Sequence, residues 1–125
     1  MKTVAFYGTV SANSDQTLVC PRIATPFSLK RLLVRFAPGC ENLLKLRFYI
    51  SLDAHAPTLG APSGVNILED YGQVNYLVGD DVLKDIEHEV DCAEGGAYLK
   101  VFADNDDAYP HSVDVQMFIE PLPRR

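Results

Sequence analysis

Strict alternation of apolar and polar side chains is the feature that most constrains how this chain folds. Residues 112–120, SVDVQMFIE, carry large apolar side chains at every second position. Because successive side chains of a β-strand point to opposite faces, this period of two predicts a strand with one face in a core. The same alternation predicts strands at residues 44–52, 85–91 and 96–104, with Leu52 as the last inward residue of the first.

The stretch SLKRLLVRF at residues 28–36 breaks the alternation once. One apolar set begins at Leu32 and recurs at every second residue, but Leu29 is out of phase with it. An extra residue in one strand shifts the phase in this way, so we expect a β-bulge near Lys30 and Arg31.

The alternation also predicts a strand at residues 73–78, and two weaker signals at residues 3–7 and 16–20 bring the total to about eight strands, separated by segments with turn chemistry. We find no convincing amphipathic helix. Many short antiparallel strands of this kind predict an all-β, two-sheet sandwich, with the jelly roll as the leading topology. An immunoglobulin-like sandwich is less favoured because the chain contains no Trp.

The length of 125 residues suits one domain with a substantial core. We therefore expect residues 1–125 to form a single β-sandwich domain. Its long connection covers residues 53–71, in which GVNILEDY allows one short helical turn. Residues 121–125, PLPRR, are expected to form a short exposed tail.

Charge and composition exclude several classes of function. The net charge of −6 disfavours a nucleic-acid-binding protein, which normally needs a basic face. No apolar run approaches the roughly 20 residues that span a bilayer, and the start MKTVAFYGTV lacks the features of a signal peptide. Cys20, Cys40 and Cys92 are odd in number and widely spaced, so they predict neither a disulfide framework nor a zinc site.

Aromatic side chains also occur on the polar side of several strands, where a solvated face should be mostly polar. The long loop or the N-terminal arm could cover them, they could form a protein–protein interface, or they could bind a sugar. The absence of Trp counts against a sugar. The predicted interface consists of Tyr49, Tyr98, Phe102, Phe118, Arg47 and Lys100.

The acidic stretch DNDDAYPH at residues 104–111 has two interpretations. Asp104, Asp106 and Asp107 offer the oxygen ligands that calcium prefers, with help from the GDD segment. However, the Gly and distant Glu of an EF-hand are missing. Asp and Asn also favour tight turns, so a hairpin turn leading into the last strand is the preferred interpretation.

Catalytic residues are not indicated by any motif. No G-x-S-x-G, HExxH, P-loop or Rossmann glycine pattern is present. His88 lies on the inward side of its predicted strand, where a hydrogen-bonded core role is expected. Nothing singles out a hydrolase set such as Ser63, His111 and Asp106. We therefore predict that the protein is not an enzyme and needs no cofactor, with calcium at the acidic stretch as the weaker alternative.

The segments VRFAPGCENLLKLRFYIS, YLVGDD, IEHEV and LKVFADNDDAYPHSVDVQMFIEP lie within residues 34–121, and the resemblance they carry covers roughly residues 28–121. Their succession resembles small β-sandwich, jelly-roll-like structural proteins encoded by tailed bacteriophages and related elements. In this resemblance Pro38–Gly39–Cys40 and Gly79–Asp80–Asp81 are turns, and Pro110–His111 opens the final strand. The resemblance implies a virion-associated structural role and assigns no active site.

The sequence thus predicts a non-enzymatic structural protein, such as a capsid-decorating protein, that self-associates or docks on another virion protein. It would be assembled in the host cytoplasm and located in the virion, with a cytoplasmic location as the alternative. Neither nucleic acid nor a membrane is expected as a partner. The alternative is a carbohydrate-binding, lectin-like module with a calcium site in its loops.

Overall fold

A computed structural model describes residues 2–40, 43–56, 62–70, 76–87, 89–92 and 95–122. These residues form β-strands and one short helical turn. The strands are β1 Lys2–Val10, β2 Ser14–Val19, β3 Phe27–Phe36, β4 Leu44–Ser51, β5 Val65–Asn66, β6 Val82–Ile86, β7 Val90–Cys92, β8 Tyr98–Asn105 and β9 His111–Pro121, and the helical turn is α1 Ile67–Asp70.

The strands form two antiparallel sheets that pack face to face. Sheet A has the order β1-β9-β3-β6, with β7 also pairing with β3, and sheet B has the order β2-β8-β4-β5. If β6 and β7 are counted as one interrupted strand, the chain is a nested hairpin that pairs β1 with β9, β2 with β8, β3 with β6/β7, and β4 with β5. Rolling this hairpin brings β9 against β3 and β8 against β4. This is a jelly roll, and the predicted fold class is confirmed.

The alternating side chains build the core as the period of two predicts. In β9 the apolar residues at positions 113, 115, 117 and 119 are all buried against sheet B, and in β8 Leu99, Val101 and Ala103 are buried against sheet A. The core therefore lies between the sheets, and the intervening side chains of each strand form the outer faces.

The β-bulge in β3 is confirmed. The register of β3 against β9 shifts between Leu29 and Arg31. Because of this shift, Leu29 and Leu32 both point into the core despite their odd spacing. The shift also turns Arg31 outward, next to its partner Phe118 on β9.

The short turn in GVNILEDY also forms as expected. Asn66 precedes α1, and its side-chain oxygen accepts a hydrogen bond of 2.9 Å from the Leu68 amide. This is the bond that a helix N-cap makes to an otherwise unpaired N–H group. Ile67 and Leu68 are buried, so α1 closes one part of the core. Within the described residues, no helix is long and apolar enough to cross a membrane.

Two strand predictions need correction. The strand expected at residues 85–91 is divided between β6 and β7, and His88 lies outside the described residues. Leu52 is exposed rather than inward, because β4 ends one residue earlier and the chain leaves the sheet there. Of the strand expected at residues 73–78, only the last three residues are described, and Leu77 forms an isolated bridge to Leu46.

Candidate interaction surface

The outer face of sheet B holds five of the six residues predicted to form an interface. Tyr98, Lys100 and Phe102 lie on β8, and Arg47 and Tyr49 lie on the neighbouring strand β4. Although the strands are adjacent, Tyr49, Phe102 and Lys100 are buried. The expectation that this face is an open aromatic and basic patch is therefore wrong for these three residues, which cannot contact a partner directly.

The loop after β4 covers the middle of this face. The fully buried Lys100 Nζ lies 2.9 Å from Asp53 Oδ1 and 2.8 Å from the carbonyl oxygen of His55. Ser63 donates a hydrogen bond of 2.7 Å to Asp53 Oδ2. A buried ammonium is costly unless it is paired, so the lysine ties the loop to the sheet. Of the three interpretations of the aromatic residues, coverage by the long loop agrees with this geometry.

The hydrogen bonds at this contact favour the ionised form of the Asp53 carboxyl. Hydrogen bonds from Lys100, Ser63 and the His55 amide hold the pKa of the Asp53 carboxyl well below its ordinary value. The Asp53 side chain nevertheless remains half exposed, so water screens part of the attraction. The contact therefore orders the loop more than it stabilises the whole fold.

Phe118, the sixth predicted residue, lies on β9 and belongs to sheet A. The period of two assigns a side chain to one side of its own strand but does not say which sheet the strand joins. In the structure Arg31 lies over the Phe118 ring, 5.7 Å from its centroid, and donates a hydrogen bond of 2.7 Å to Asp85. The six predicted residues are therefore divided between opposite sides of the molecule.

The three aspartates proposed as calcium ligands do not converge. Asp104 lies on β8 between strands β2 and β4, the Asp106 carboxylate is 3.7 Å from Lys45 Nζ, and the Asp107 carboxylate is 2.7 Å from His111 Nε2. In the part of the chain that the structure describes, no three His, Cys, Asp or Glu side chains are grouped to hold a metal. The pairing of the strands turns these carboxylates toward different partners.

Asn105, which sequence reasoning did not single out, organises the acidic stretch. Its buried side chain donates hydrogen bonds to the carbonyl oxygens of Ser11 and Tyr109, at 3.2 Å and 2.9 Å, and accepts one of 3.0 Å from the Asp107 amide. The last bond is the Asx-turn that Asn makes to the backbone two residues on. DNDDAYPH is therefore a turn, as preferred from the sequence, and it is tied to the β1–β2 connection.

Cys40, His111 and Asp107 form a chain of polar contacts beside this turn. His111 Nδ1 lies 3.8 Å from the Cys40 sulfur, while Nε2 contacts Asp107. The Cys40 side chain is buried, and burial raises the pKa of its thiol. A cysteine nucleophile needs an accessible thiolate, so this arrangement does not suit covalent catalysis. The Ser63–His111–Asp106 set is also not assembled, because Ser63 contacts Asp53 and His111 contacts Asp107.

The outer face of sheet A is open and mixed in character. One row of side chains crosses the whole sheet from Tyr7 on β1, through Asp114 on β9 and Arg35 on β3, to Leu83 on β6. Tyr7 is 75% exposed and Leu83 is 59% exposed, so both side chains are available to a partner at the two edges of the sheet. We call this surface the sheet A face.

A shallow depression of about 160 Å³ lies in the sheet A face. Sequence reasoning missed this surface because it did not consider Tyr7 as an outward residue and predicted no strand at Leu83. The alternation in KTVAFYGTV, extended through residue 7, could have identified Tyr7. The depression is lined by Leu33, Arg35, Leu83, Asp114 and Gln116.

No protein-family model and no curated protein matches this sequence. Several solved structures are similar in shape, at low sequence identity. A chain of Broad Bean Stain Virus has a TM-score of 0.48 and 7% identity, over 100% of this chain and 94% of that one. A chain of the naturally occurring empty particles of Cowpea mosaic virus has a TM-score of 0.46 and 10% identity, over 98% and 87%.

A carbohydrate-related structure is similar to about the same degree. The C-terminal CBM6 of LamC from Zobellia galactanivorans has a TM-score of 0.42 and 11% identity, over 93% of this chain and 98% of that one. Both virus structures come from particles that are not tailed bacteriophages. Similarities at this level do not distinguish between functions, which must be argued from the chain's own surfaces.

We expect Asn105→Ala to lower the free energy of unfolding by about 1–3 kcal/mol, because it leaves buried backbone groups unsatisfied. Urea denaturation followed by circular dichroism would measure the change. Asp106→Ala is the matched control in the same turn, and its exposed ion pair with Lys45 should be worth about 1 kcal/mol or less. Equal losses in the two variants would contradict the role assigned to Asn105.

We expect Lys100→Met to leave global stability nearly unchanged, because the Asp53 carboxylate that loses its partner is 54% exposed and can be hydrated, while the methionine fills the buried volume of the lysine stem without placing a charge there. The variant should release the loop that contains Asp53 and His55. Backbone hydrogen exchange at residues 53–56 should become faster, while Lys45→Met, on the same face, should not change it. Unchanged protection in Lys100→Met would mean that the lysine does not hold the loop.

We expect Asp107 to contribute to stability only above acidic pH. The hydrogen bond from His111 lowers the pKa of Asp107 in the folded state. A carboxyl shifted in this direction stabilises the fold above its unfolded pKa of about 3.9 and loses that contribution as the pH falls through the lower folded value. The stability difference between wild type and Asp107→Asn should therefore shrink below about pH 4. A difference that grows on acidification in denaturation experiments would refute this assignment.

Proposed function

We propose that this chain is a non-enzymatic structural protein that self-associates or docks on a larger assembly. In its specific form, the proposal is a component of a bacteriophage particle, such as a capsid-decorating protein, assembled in the host cytoplasm and located in the virion. The bacteriophage assignment draws on the resemblance of residues 28–121, whose characteristic motifs lie in turns and at the start of β9. Such motifs shape a rigid sandwich without supplying catalytic groups.

The open sheet A face is the observation that carries the proposal. Tyr7 and Leu83 stand exposed at its two edges, with Asp114 and Arg35 between them. Exposed aromatic residues together with arginine are characteristic of protein–protein interfaces. By contrast, the outer face of sheet B has its central lysine covered by the chain's own loop. Of the residues first predicted for an interface, Phe118 is the one that belongs to this surface.

A carbohydrate-binding module is the second candidate function, and one observation favours it. A shallow cleft of about 410 Å³ lies beside the acidic turn, lined by Pro38, Gly39, Asp107, Tyr109, Pro110 and His111. Tyr109 is 71% exposed and could serve as a platform for a sugar ring. However, Asp107 and His111 already bind each other, which leaves few polar groups directed at a ligand.

We expect the purified protein to form a defined oligomer whose mass does not depend on calcium. The reason is that its most open surface suits a protein partner, whereas the acidic side chains of the described residues do not converge on a metal. Light scattering after size-exclusion chromatography, with calcium and with a chelator, measures the mass. Thermal unfolding under the same two conditions measures stabilisation.

The outcomes separate the two functions. A calcium-independent oligomer agrees with the structural role. A monomer that calcium stabilises, or that binds oligosaccharides through Tyr109, would overturn the proposal in favour of the carbohydrate-binding module. A monomer indifferent to both ligands would restrict the role to docking on another protein.

A further inference from the structure

We propose that two copies of this chain stack face to face through the sheet A face, with Tyr7 of each copy seated in the depression of the other. This inference rests on the proposed function and names the partner of the surface as a second copy. It follows from three properties of the face: a matching projection and depression, charges that complement themselves, and sufficient area.

The projection and the depression are similar in size. Tyr7 stands 75% exposed on edge strand β1, so its ring projects from the face. The depression measures about 160 Å³ and includes the apolar side chains of Leu33 and Leu83. A cavity of about 150 Å³ is large enough for a benzene ring. Each copy therefore carries both a ring to donate and a depression that accepts a ring.

The symmetry of the strands allows the exchange to be reciprocal. A twofold axis parallel to the strands, between β9 and β3, exchanges β9 with β3 and β1 with β6. In the row that crosses the sheet, this operation places Tyr7 over Leu83 of the second copy. A contact that repeats itself in this way closes a dimer and leaves no unsatisfied copy of the surface.

The same operation places Asp114 over Arg35 of the second copy. Within the described part of the chain, neither side chain forms an ion pair or a side-chain hydrogen bond, so both charges are free to pair across an interface. Two outward-facing rows further along the strands, Phe118 would lie over Arg31 of the second copy. Arg31 and Phe118 already make this contact within one chain. The face is therefore complementary to itself in charge.

The area reaches the lower limit for a specific protein–protein interface. Strand β1 has 9 residues, so the face is about 30 Å long, and four strands make it about 19 Å wide. Stacking two such faces covers about 570 Å² on each copy, or about 1,100 Å² in total. Specific interfaces bury about 1,000 Å² or more in total, so this face reaches that threshold without help from loops.

Two single charge reversals and their mixture test the arrangement. Asp114→Arg places two arginines opposite each other at both reciprocal contacts, and Arg35→Asp places two aspartates there. Each variant alone should associate about tenfold or more weakly than wild type, because like charges facing each other suppress association. An equimolar mixture should recover the dimer, since every contact between the two variants pairs Arg with Asp. Analytical ultracentrifugation of each variant and of the mixture measures this.

Matched controls exclude general effects of charge and folding. Asp15→Arg on sheet B and Arg22→Asp in the β2–β3 loop make the same changes away from the face and should leave the mass unchanged. Recovery in the mixture also shows that the single variants are folded. Dimers that persist in both single variants, or a mixture that stays monomeric, would overturn the inference. In either case the proposed function would still stand if wild type is a defined oligomer.

A second variant pair tests the ring directly. Tyr7→Ser should weaken self-association. Tyr109→Ser removes a similarly exposed tyrosine from a loop cleft outside the sheet A face, and it should leave self-association unchanged. If Tyr109→Ser dissociates the oligomer and Tyr7→Ser does not, the interface lies at the acidic turn. A wild-type protein that is monomeric at all concentrations would also overturn the face-to-face dimer.

Discussion

Each strand alternates apolar and polar side chains, so each sheet has one apolar face. The need to bury both apolar faces at once is the constraint on which the rest of this structure depends. A single sheet cannot bury its apolar face by itself, so each sheet buries its apolar side chains against the other sheet. The nested pairing of the strands brings the first strand beside the last and makes most contacts long-range. The bulge in β3 belongs to the same constraint, because it keeps Leu29 and Leu32 in the core on both sides of a phase change.

The inner faces of the two sheets pack against each other, so only the outer faces can contact solvent. The two outer faces differ in how much of each is covered by the chain's own loops. On sheet B, the chain returns over its own strands and binds the buried Lys100 through Asp53 and a backbone carbonyl. On sheet A, nothing comparable covers Tyr7 and Leu83 among the described residues. This asymmetry makes the sheet A face the more open of the two outer faces among the described residues, and the proposed self-association rests on it.

Single buried polar side chains decide the shape of the loops. Asn105 joins its own turn to the β1–β2 connection through three backbone groups, and Lys100 holds the loop after β4. In the sequence Lys100 occupies a position on the polar side of its strand, where solvent exposure is the natural expectation, whereas Asn105 is in phase with the inward residues Leu99, Val101 and Ala103. Their partners lie 40 or more residues away in several cases, so no local pattern could have revealed them.

The sequence by itself determined most of the long strands, the inward residues of β8 and β9, the bulge in β3 and the all-β sandwich, because these follow from a local period of two and from turn chemistry. Only the tertiary structure decided which strands share a sheet, and hence that Phe118 faces away from Tyr49. It also decided which outward residues are covered. Those outcomes depend on pairing between distant segments, and the alternation of a single strand carries no information about its neighbours.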